Sequence, residues 1–278
     1  MITSAQQAFV EEHACLPEHI VPYVTAVSQA EPFLLQDFLA YVKEDQLIFV
    51  GYPLQGSFDE KRVKKILDEA TRRFKPRTIA FTAPSVPSSI TGRPHSPSDH
   101  YYRLDLSALS VSQKTRNMIK RAMGQLTVQK GTWGEEHRAL IEDFLKDHPV
   151  SEATRWIFER IPFYLASVPT AELFEAKDKA GELAAFDIAE FGATYYAFYM
   201  FNFSSKARYT PGASDLMLSG IINQAITKQK KYINLGLGIN PGVTFFKTKC
   251  GGMPFNPYTF CLYSSSRDEK IGDLLQKL

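Results

Sequence analysis

The apolar positions of the chain change period several times, and each change predicts a different element. A 3.6-residue period predicts amphipathic helices over residues 58–74, 112–123, 135–146, 151–161 and 214–229, the fourth of them ended by Pro162. Alternation and short apolar runs predict strands over residues 33–42, 46–52, 77–82, 101–106, 126–132, 170–176, 182–191, 195–203 and 257–263, with the first two forming a hairpin. Residues 1–30 are expected to be helical or irregular. This order of elements predicts an α/β chain.

A segment without periodicity, residues 83–100, separates two runs of elements. It carries four prolines among serines, at positions 84, 87, 94 and 97, and such a length is unusual for a connection inside a compact domain. The sequence therefore predicts a boundary, with a first unit at residues 1–98 and a second at residues 99–278. Both units contain strands, a helix and a further strand in that order, although no repeat of letters accompanies the similarity.

Residues 232–252 combine a short strand, a glycine-rich loop and a brief basic helix. Asn240 is a favourable N-cap and Pro241 suits the first helical position, while Lys247 lies on the flank of the helix. The glycines at 236, 238 and 242 have two interpretations, a backbone that a ligand approaches closely or a tight turn from strand to helix. A dinucleotide fingerprint fits poorly, because its last spacing is one residue too long and no second βαβ unit follows. The stretch is predicted to be a site.

Composition and the absence of certain motifs argue against several functional classes. The 278 residues carry a net charge of +2, so an anion site must come from a local patch. Three cysteines fit a reducing compartment, and the absence of a signal peptide and of a membrane-spanning run predicts a cytoplasmic protein. The six histidines lack metal-ligand spacing, so no metal is expected. The sequence contains no nucleophile-elbow or phosphate-loop motif, which argues against hydrolases and kinases.

Three passages resemble the GNAT superfamily, and more narrowly its branch of FemAB-like proteins and lysyl-phosphatidylglycerol synthase C-terminal domains. The first, residues 102–130, is similar to a strand followed by a basic helix with the pattern Arg116, Asn117, Ile119, Lys120, Arg121 and Ala122. The second, residues 211–225, resembles the helix after the central strand. The third, residues 232–252, is similar to the ending formed here by Asn234, Leu235, Gly236, Gly242, Phe246, Lys247 and Gly251. The resemblance is best over residues 100–263.

The resemblance implies a mixed, mostly antiparallel sheet flanked by helices, as a tandem pair whose N-terminal half is degenerate. It also implies transfer of an activated acyl group to a primary amine in a cleft where the middle strands separate. The donor would be acyl-CoA or aminoacyl-tRNA as a cosubstrate, with no tightly bound cofactor. The acceptor would be a small-molecule, peptide or lipid amine, and tRNA is a possible partner. The alternative is a non-catalytic ligand-binding protein on a degenerate GNAT fold.

Roles for individual residues follow from the same resemblance. Catalysis would fall to Lys247, Glu190 and Tyr199, with Asp187 as a second candidate base. Donor or anion binding would fall to Arg208, Gly212, Ala213, Asn234, Gly236, Gly238 and Asn240, and substrate binding to Arg116, Asn117, Lys120, Arg121, Asn202 and Phe246. At the donor loop, Pro211 replaces a glycine of the acyl-CoA pattern and removes one N–H from the anion cradle.

Each of these roles has a simpler structural alternative. Arg116, Lys120 and Arg121 can form a solvated basic helix face. Glu190 and Asp187 can be charged strand residues that face solvent.

Overall fold

The structure is a computed structural model that describes residues 2–87 and 98–264. Its helices are α1 Ser4–His13, α2 Val21–Ser28, α3 Glu60–Phe74, α4 Gln113–Met123, α5 Glu135–Asp147, α6 Glu152–Ser167, α7 Ala213–Thr227 and α8 Pro241–Lys249. Its strands are β1 Glu31–Leu35, β2 Phe38–Lys43, β3 Gln46–Val50, β4 Thr78–Ala83, β5 Asp99–Asp105, β6 Leu126–Lys130, β7 Ala171–Asp178, β8 Leu183–Glu190, β9 Tyr196–Ser204, β10 Tyr232–Leu237 and β11 Met253–Ser264. In this described part of the chain, no helix is both long enough and apolar enough to cross a membrane.

All eleven strands belong to one sheet, in the order β1-β2-β3-β4-β11-β5-β10-β9-β8-β7-β6. The pairs β3–β4 and β9–β10 are parallel, and the other neighbours are antiparallel. Helices cover both faces of the sheet, because its strands present apolar side chains on alternating positions that must be buried. The predicted mixed and mostly antiparallel sheet flanked by helices is confirmed.

The element order repeats along the chain. The run α1-α2-β1-β2-β3-α3-β4 has the same order as α5-α6-β7-β8-β9-α7-β10, and in each run the strands before and after the single helix pair in parallel. The two copies differ at this parallel pair. In the first copy it extends over five consecutive residue pairs, from Gln46–Thr78 to Val50–Thr82, so these strands stay together along their length.

Strand pairing and helix packing both join the copies into a continuous structure. Strand β11 pairs with β4 on one side and with β5 on the other. Helix α2 packs on α6, where the Trp156 indole donates to the Val27 carbonyl at 2.8 Å and the Arg160 guanidinium donates to the Ala26 carbonyl. The predicted boundary at residues 98–99 remains a prediction, and residues 88–97 of the segment around it lie outside the described residues.

The predicted strand over residues 33–42 is in fact two strands. The chain turns at Gln36 and Asp37 between β1 and β2, and Gln36 takes a left-handed backbone conformation with φ 56°. The sequence gives no clear signal of this turn, because the turn contains neither glycine nor proline, and glutamine is not a usual turn residue. The predicted hairpin is therefore a three-stranded meander of β1, β2 and β3.

Helix α6 does not end before Pro162 as predicted but continues to Ser167. A proline inside a helix removes one backbone hydrogen bond and costs about 3 kcal/mol. Ile161 and Tyr164 flank the proline and are fully buried against the sheet, and burying each of two large apolar side chains contributes about 1.5–3 kcal/mol. Tertiary packing therefore outweighs the local preference at this position.

Burial of the His19 imidazole makes a pH-dependent contribution to stability. The ring accepts a hydrogen bond from the Cys15 N–H through Nδ1, and its Nε2 lies 3.3 Å from the Tyr52 carbonyl oxygen. Burial lowers the pKa of His19 to about 4, against about 6.5 for an ordinary histidine. The unfolded chain therefore takes up this proton at a higher pH than the folded chain, and stability is lost as pH falls through that interval.

We expect the contribution of His19 to the free energy of unfolding to fall by about 3 kcal/mol when the pH is lowered from 6.5 to 4. Chemical denaturation of the wild type and of His19→Gln at several pH values measures this effect as the difference between the two proteins. The two proteins must be compared because Asp187 also affects stability in this pH range. Burial raises the pKa of Asp187 to about 7, so its contribution to stability increases as pH falls and opposes that of His19. A difference that does not change with pH would contradict the prediction.

Candidate active site

The parallel strands β9 and β10 separate halfway along their length. They pair at Tyr232–Tyr196, Ile233–Ala197 and Asn234–Phe198, and β9 then continues to Ser204 without pairing to β10. On its other side β10 follows β5, with an irregularity between Asn234 and Leu237. The backbone edges that face each other beyond this point form a cleft. The first copy of the fold has no such cleft, because β3 and β4 remain paired.

Lys247 is the buried charged residue at this cleft. It lies on α8 with 4% of its surface exposed, and its Nζ donates a hydrogen bond to the Leu237 carbonyl at the end of β10. A side chain at Gly236 would approach Lys247 Nζ to 3.4 Å and the Tyr199 carbonyl oxygen to 4.0 Å. The ammonium group therefore lies where the two strands separate. Burial lowers the pKa of Lys247 to about 8, and the charge of Asp99 opposes this shift.

The two glycines of this loop have packing roles within the chain. Gly236 has a positive φ of 77°, a backbone conformation that residues other than glycine rarely adopt. At Gly238 a Cβ would lie 2.6 Å from Asp99 Oδ1 and 2.8 Å from Thr244 Oγ1. Asn240 caps α8 as predicted, since its Oδ1 accepts from the Val243 N–H at 3.0 Å. The tight-turn interpretation therefore explains Gly238, and a role of these residues in donor binding stays a prediction.

Tyr199, Asp187 and Asn202 form a polar group on the side of the sheet covered by α7. Asn202 donates to Asp187 Oδ1, and the buried Tyr199 hydroxyl interacts with the Asp187 carboxylate. Burial raises the pKa of Asp187 to about 7 and that of Tyr199 well above its ordinary value. Phe246 packs near Tyr199, with ring centroids 6.4 Å apart. Two residues of the predicted site therefore lie close to Lys247, namely Tyr199 on β9 and Phe246 on α8.

Glu190 lies on the opposite face of β8 from Asp187, because the two are three residues apart on a strand. Its carboxylate accepts hydrogen bonds from the Tyr164 hydroxyl, the Phe191 N–H and the Gly192 N–H. Glu190 is also fully buried rather than solvent-facing. These contacts are those of a structural residue that closes the turn after β8, and they do not bring Glu190 to the cleft.

Asn234 is likewise occupied by the protein itself. Its Nδ2 donates to the Cys15 carbonyl at 2.7 Å, and its Oδ1 accepts from the Gly236 N–H at 2.7 Å. The side chain is fully buried. The structure therefore gives Asn234 the role of holding β10 to the segment after α1, and its predicted part in donor binding stays a prediction.

The predicted anion site at the start of α7 contains charges of the chain itself. Arg208 pairs with Glu182 at 2.7 Å and lies 4.0 Å from Asp178. Gly212 precedes the helix with φ 85°, and a Cβ there would lie 2.7 Å from the Met118 carbonyl oxygen, so α4 covers this loop. Ala213, the first residue of α7, is buried.

Asp215 adds a negative charge in the first turn of α7. Its carboxylate is buried and pairs with Lys249 Nζ at 2.7 Å, and it accepts from the Cys250 thiol. A carboxylate in the first helical turn interacts with the same N–H groups and dipole that a phosphate would use. The start of α7 is therefore poorly suited to a CoA pyrophosphate. Sequence reasoning missed Asp215, which carries no motif.

The basic residues of α4 are exposed at the surface. Arg116 donates to the Val111 carbonyl and to Gln113, and Asn117 accepts from Gln113 at 2.9 Å. Lys120 and Arg121 are exposed on the same helix. The structure does not bring these four residues to Lys247 through any contact among the described residues. A binding role for them remains a prediction.

One group of side chains has the spacing of metal ligands. Glu136, His137 and Glu175 offer ligand atoms within 4.8 Å of one another. His137 Nδ1 accepts from the Gly134 N–H, so the neutral imidazole carries its proton on Nε2, 3.2 Å from Glu175 Oε1. Lys177 also pairs with Glu136 at 2.7 Å. The Nε2 lone pair that a metal needs is thus absent in this tautomer, and the two carboxylates are explained by their ion pairs with Lys177.

No family model and no curated protein matches the sequence. Among solved structures, FemX is similar over 99% of both chains at 10% identity, with a TM-score of 0.67. L-PGS from Bacillus licheniformis is similar over 99% of this chain and 96% of that chain at 14% identity, with a TM-score of 0.60. A tandem GNAT protein from the clavulanic acid biosynthesis pathway is similar over 82% of this chain and 78% of that chain at 12% identity, with a TM-score of 0.50.

These similarities define the class of fold. The chain has a GNAT-like fold, with the splayed parallel strands and flanking helices described above. This fold is similar to those of FemX and L-PGS over nearly the whole length of each chain.

Proposed function

We propose that the protein transfers an acyl or aminoacyl group to a primary amine and forms an amide. The observation that carries this proposal is the buried Lys247 ammonium at the point where β9 and β10 separate. An ammonium group held in a low-dielectric cleft stabilises negative charge that develops on a carbonyl oxygen. Because its position is fixed by α8 and the Leu237 carbonyl, little reorganisation is needed when that charge appears.

The proposed reaction forms a bond between the acceptor nitrogen and the donor carbonyl carbon. Lys247 stabilises the tetrahedral oxyanion, and collapse of this intermediate breaks the carbon–oxygen or carbon–sulfur bond of the donor. One proton moves from the attacking nitrogen to the departing atom. We assign its relay to the Tyr199 hydroxyl, which is buried and interacts with the Asp187 carboxylate.

We propose aminoacyl-tRNA rather than acyl-CoA as the donor. The start of α7 holds the Asp215 carboxylate in its first turn, Arg208 is paired with Glu182, and Pro211 lacks an N–H. Each of these features weakens a pyrophosphate site at this helix. The exposed basic face of α4, with Lys120 and Arg121, is the surface we assign to the phosphates of the donor.

Thermal shift and calorimetric titrations with aminoacylated tRNA, acetyl-CoA and free CoA test the donor. We expect stabilisation by tRNA, which at 100 times its dissociation constant amounts to about 2.7 kcal/mol, and no response to either CoA compound. Transfer of a labelled amino acid to an amine panel then tests turnover. A response to CoA would contradict the choice of donor. Binding without transfer would favour the alternative, a binding protein on a degenerate GNAT fold.

A further inference from the structure

The peptide unit between Leu237 and Gly238 is held from both sides by charged groups. Its carbonyl accepts a hydrogen bond from Lys247 Nζ. Its N–H lies 3.1 Å from Asp99 Oδ1 and 3.3 Å from the His100 carbonyl oxygen. Asp99 is the first residue of β5, on the strand that neighbours β10. One planar peptide therefore connects a carboxylate to the ammonium group in the cleft.

The next residue, Ile239, has a strained backbone. Its φ of 59° places it in the left-handed region, which is a genuine outlier for a β-branched residue. Its side chain is 75% exposed, so apolar packing does not explain the conformation. The Ile239 N–H instead donates to Asp99 Oδ2 at 2.7 Å, and the Asn240 N–H donates to the Gly238 carbonyl at 2.6 Å. Such conformations persist only where surrounding contacts hold them.

The strained loop determines where Lys247 lies. Asn240 ends the loop and caps α8, and Lys247 follows seven residues later on that helix. The Asp99 carboxylate binds the two N–H groups immediately before the cap. A shift of this loop therefore moves the first turn of α8 and the carbonyl to which Lys247 donates.

We propose that Asp99 is the positioning residue for Lys247, acting through the Leu237–Gly238 peptide and the Ile239 backbone. This proposal rests on the proposed transferase function, because it assigns Asp99 a part in the same site. Asp99 is 148 residues away from Lys247 in the sequence, and the fold brings them together through the pairing of β5 with β10.

The charges around Lys247 support this assignment. The charge of Asp99 raises the pKa of Lys247, while burial lowers it by a larger amount. On α8 itself Lys249 is paired with Asp215 of α7, and from β9 the titratable neighbour is Tyr199, whose pKa is well above its ordinary value. On β11, Tyr258 interacts with Asp99 and has a raised pKa as well. Removing the Asp99 charge therefore favours the neutral amine of Lys247.

The first test is Asp99→Asn, with Asp105→Asn as its matched control at the other end of the same strand. Asp105 accepts hydrogen bonds from the Ser107 N–H and hydroxyl at the far end of β5 from the loop. We expect Asp99→Asn to lower kcat about tenfold with little change in KM, since a hydrogen bond to a charged group is worth about 1.5–3 kcal/mol. The alkaline limb of its kcat–pH profile should move to lower pH. Equal behaviour of the two variants would overturn the proposal.

The second test measures position without activity. Hydrogen exchange at Gly238 and Ile239, and titration of isotope-labelled Lys247 by NMR, are compared in the wild type and Asp99→Ala. We expect faster exchange at both amides and a lower Lys247 pKa in the variant. If these shifts occur in a protein without transferase activity, the proposed function fails and the positioning role stands; unchanged exchange and pKa overturn the positioning role itself.

Discussion

The Lys247→Met variant should lose about 100- to 1,000-fold in kcat while remaining folded. The change removes the one buried ammonium group at the separated strands, and losing a preorganised electrostatic contact to a transition-state oxyanion has an effect of about this size. Methionine fills a similar volume, and removing a desolvated charge offsets the loss of one hydrogen bond to Leu237. In the wild type, kcat should fall above pH about 8 as Lys247 loses its proton. Single-turnover transfer of labelled amino acid measures both effects.

A matched control for this variant is Lys230→Met. Lys230 also donates through Nζ to a backbone carbonyl, that of Ala193, and burial also lowers its pKa. It lies just before β10 and outside the cleft, so its kcat should stay near that of the wild type. If Lys247→Met and Lys230→Met retained the same activity, Lys247 would have no part in the reaction.

The Glu190→Ala variant should lower the free energy of unfolding by about 4 kcal/mol. The change leaves two donors without an acceptor, namely the Tyr164 hydroxyl and the Gly192 N–H, whereas the Phe191 N–H keeps the Thr170 carbonyl as its acceptor. Each unsatisfied buried donor costs about 1–3 kcal/mol. Denaturant unfolding at neutral pH, with the slope of the transition compared between the two proteins, measures the loss.

Glu190→Gln separates the structural role from a catalytic one. The amide oxygen can accept from the two N–H groups, and the amide nitrogen can donate to the Tyr164 hydroxyl, so stability should change by less than about 1 kcal/mol. Turnover should also be retained, because Glu190 lies on the other face of β8 from Asp187. A folded Glu190→Gln protein that lost about 100-fold or more in kcat would show that Glu190 is the base after all.

Periodicity predicted most of the fold. The helices over residues 58–74 and 112–123 lie within one or two residues of α3 and α4, and Ser112 and Asn240 are the N-caps that their residue types suggested. Two predictions of element boundaries were wrong for local reasons that the pattern of apolar residues does not contain. A left-handed glutamine makes the turn between β1 and β2, and buried neighbours keep α6 helical past Pro162.

Only the part of the candidate site that lies within one short stretch of sequence was predicted. Lys247, Phe246 and the Asn240 cap lie within ten residues of one another, and the structure places all three at the end of β10. Asp99 was missed because it reaches the loop from 139 residues earlier, through strand pairing that no local period encodes. The hydrogen bond from Asn234 to the Cys15 carbonyl was not predicted for a similar reason, since the two residues are 219 positions apart.

The position of β11 between β4 and β5 has a consequence for how the protein is made. Both neighbouring strands precede β11 in the chain, so each emerges from the ribosome with an open edge, and β11 is synthesised afterwards. Open strand edges pair readily with other chains, and nascent domains fold in the order in which they are made. The edges of β4 and β5 that β11 covers therefore stay open throughout the synthesis of residues 106–252. The first half of β11 then pairs with β5, and its second half pairs with β4.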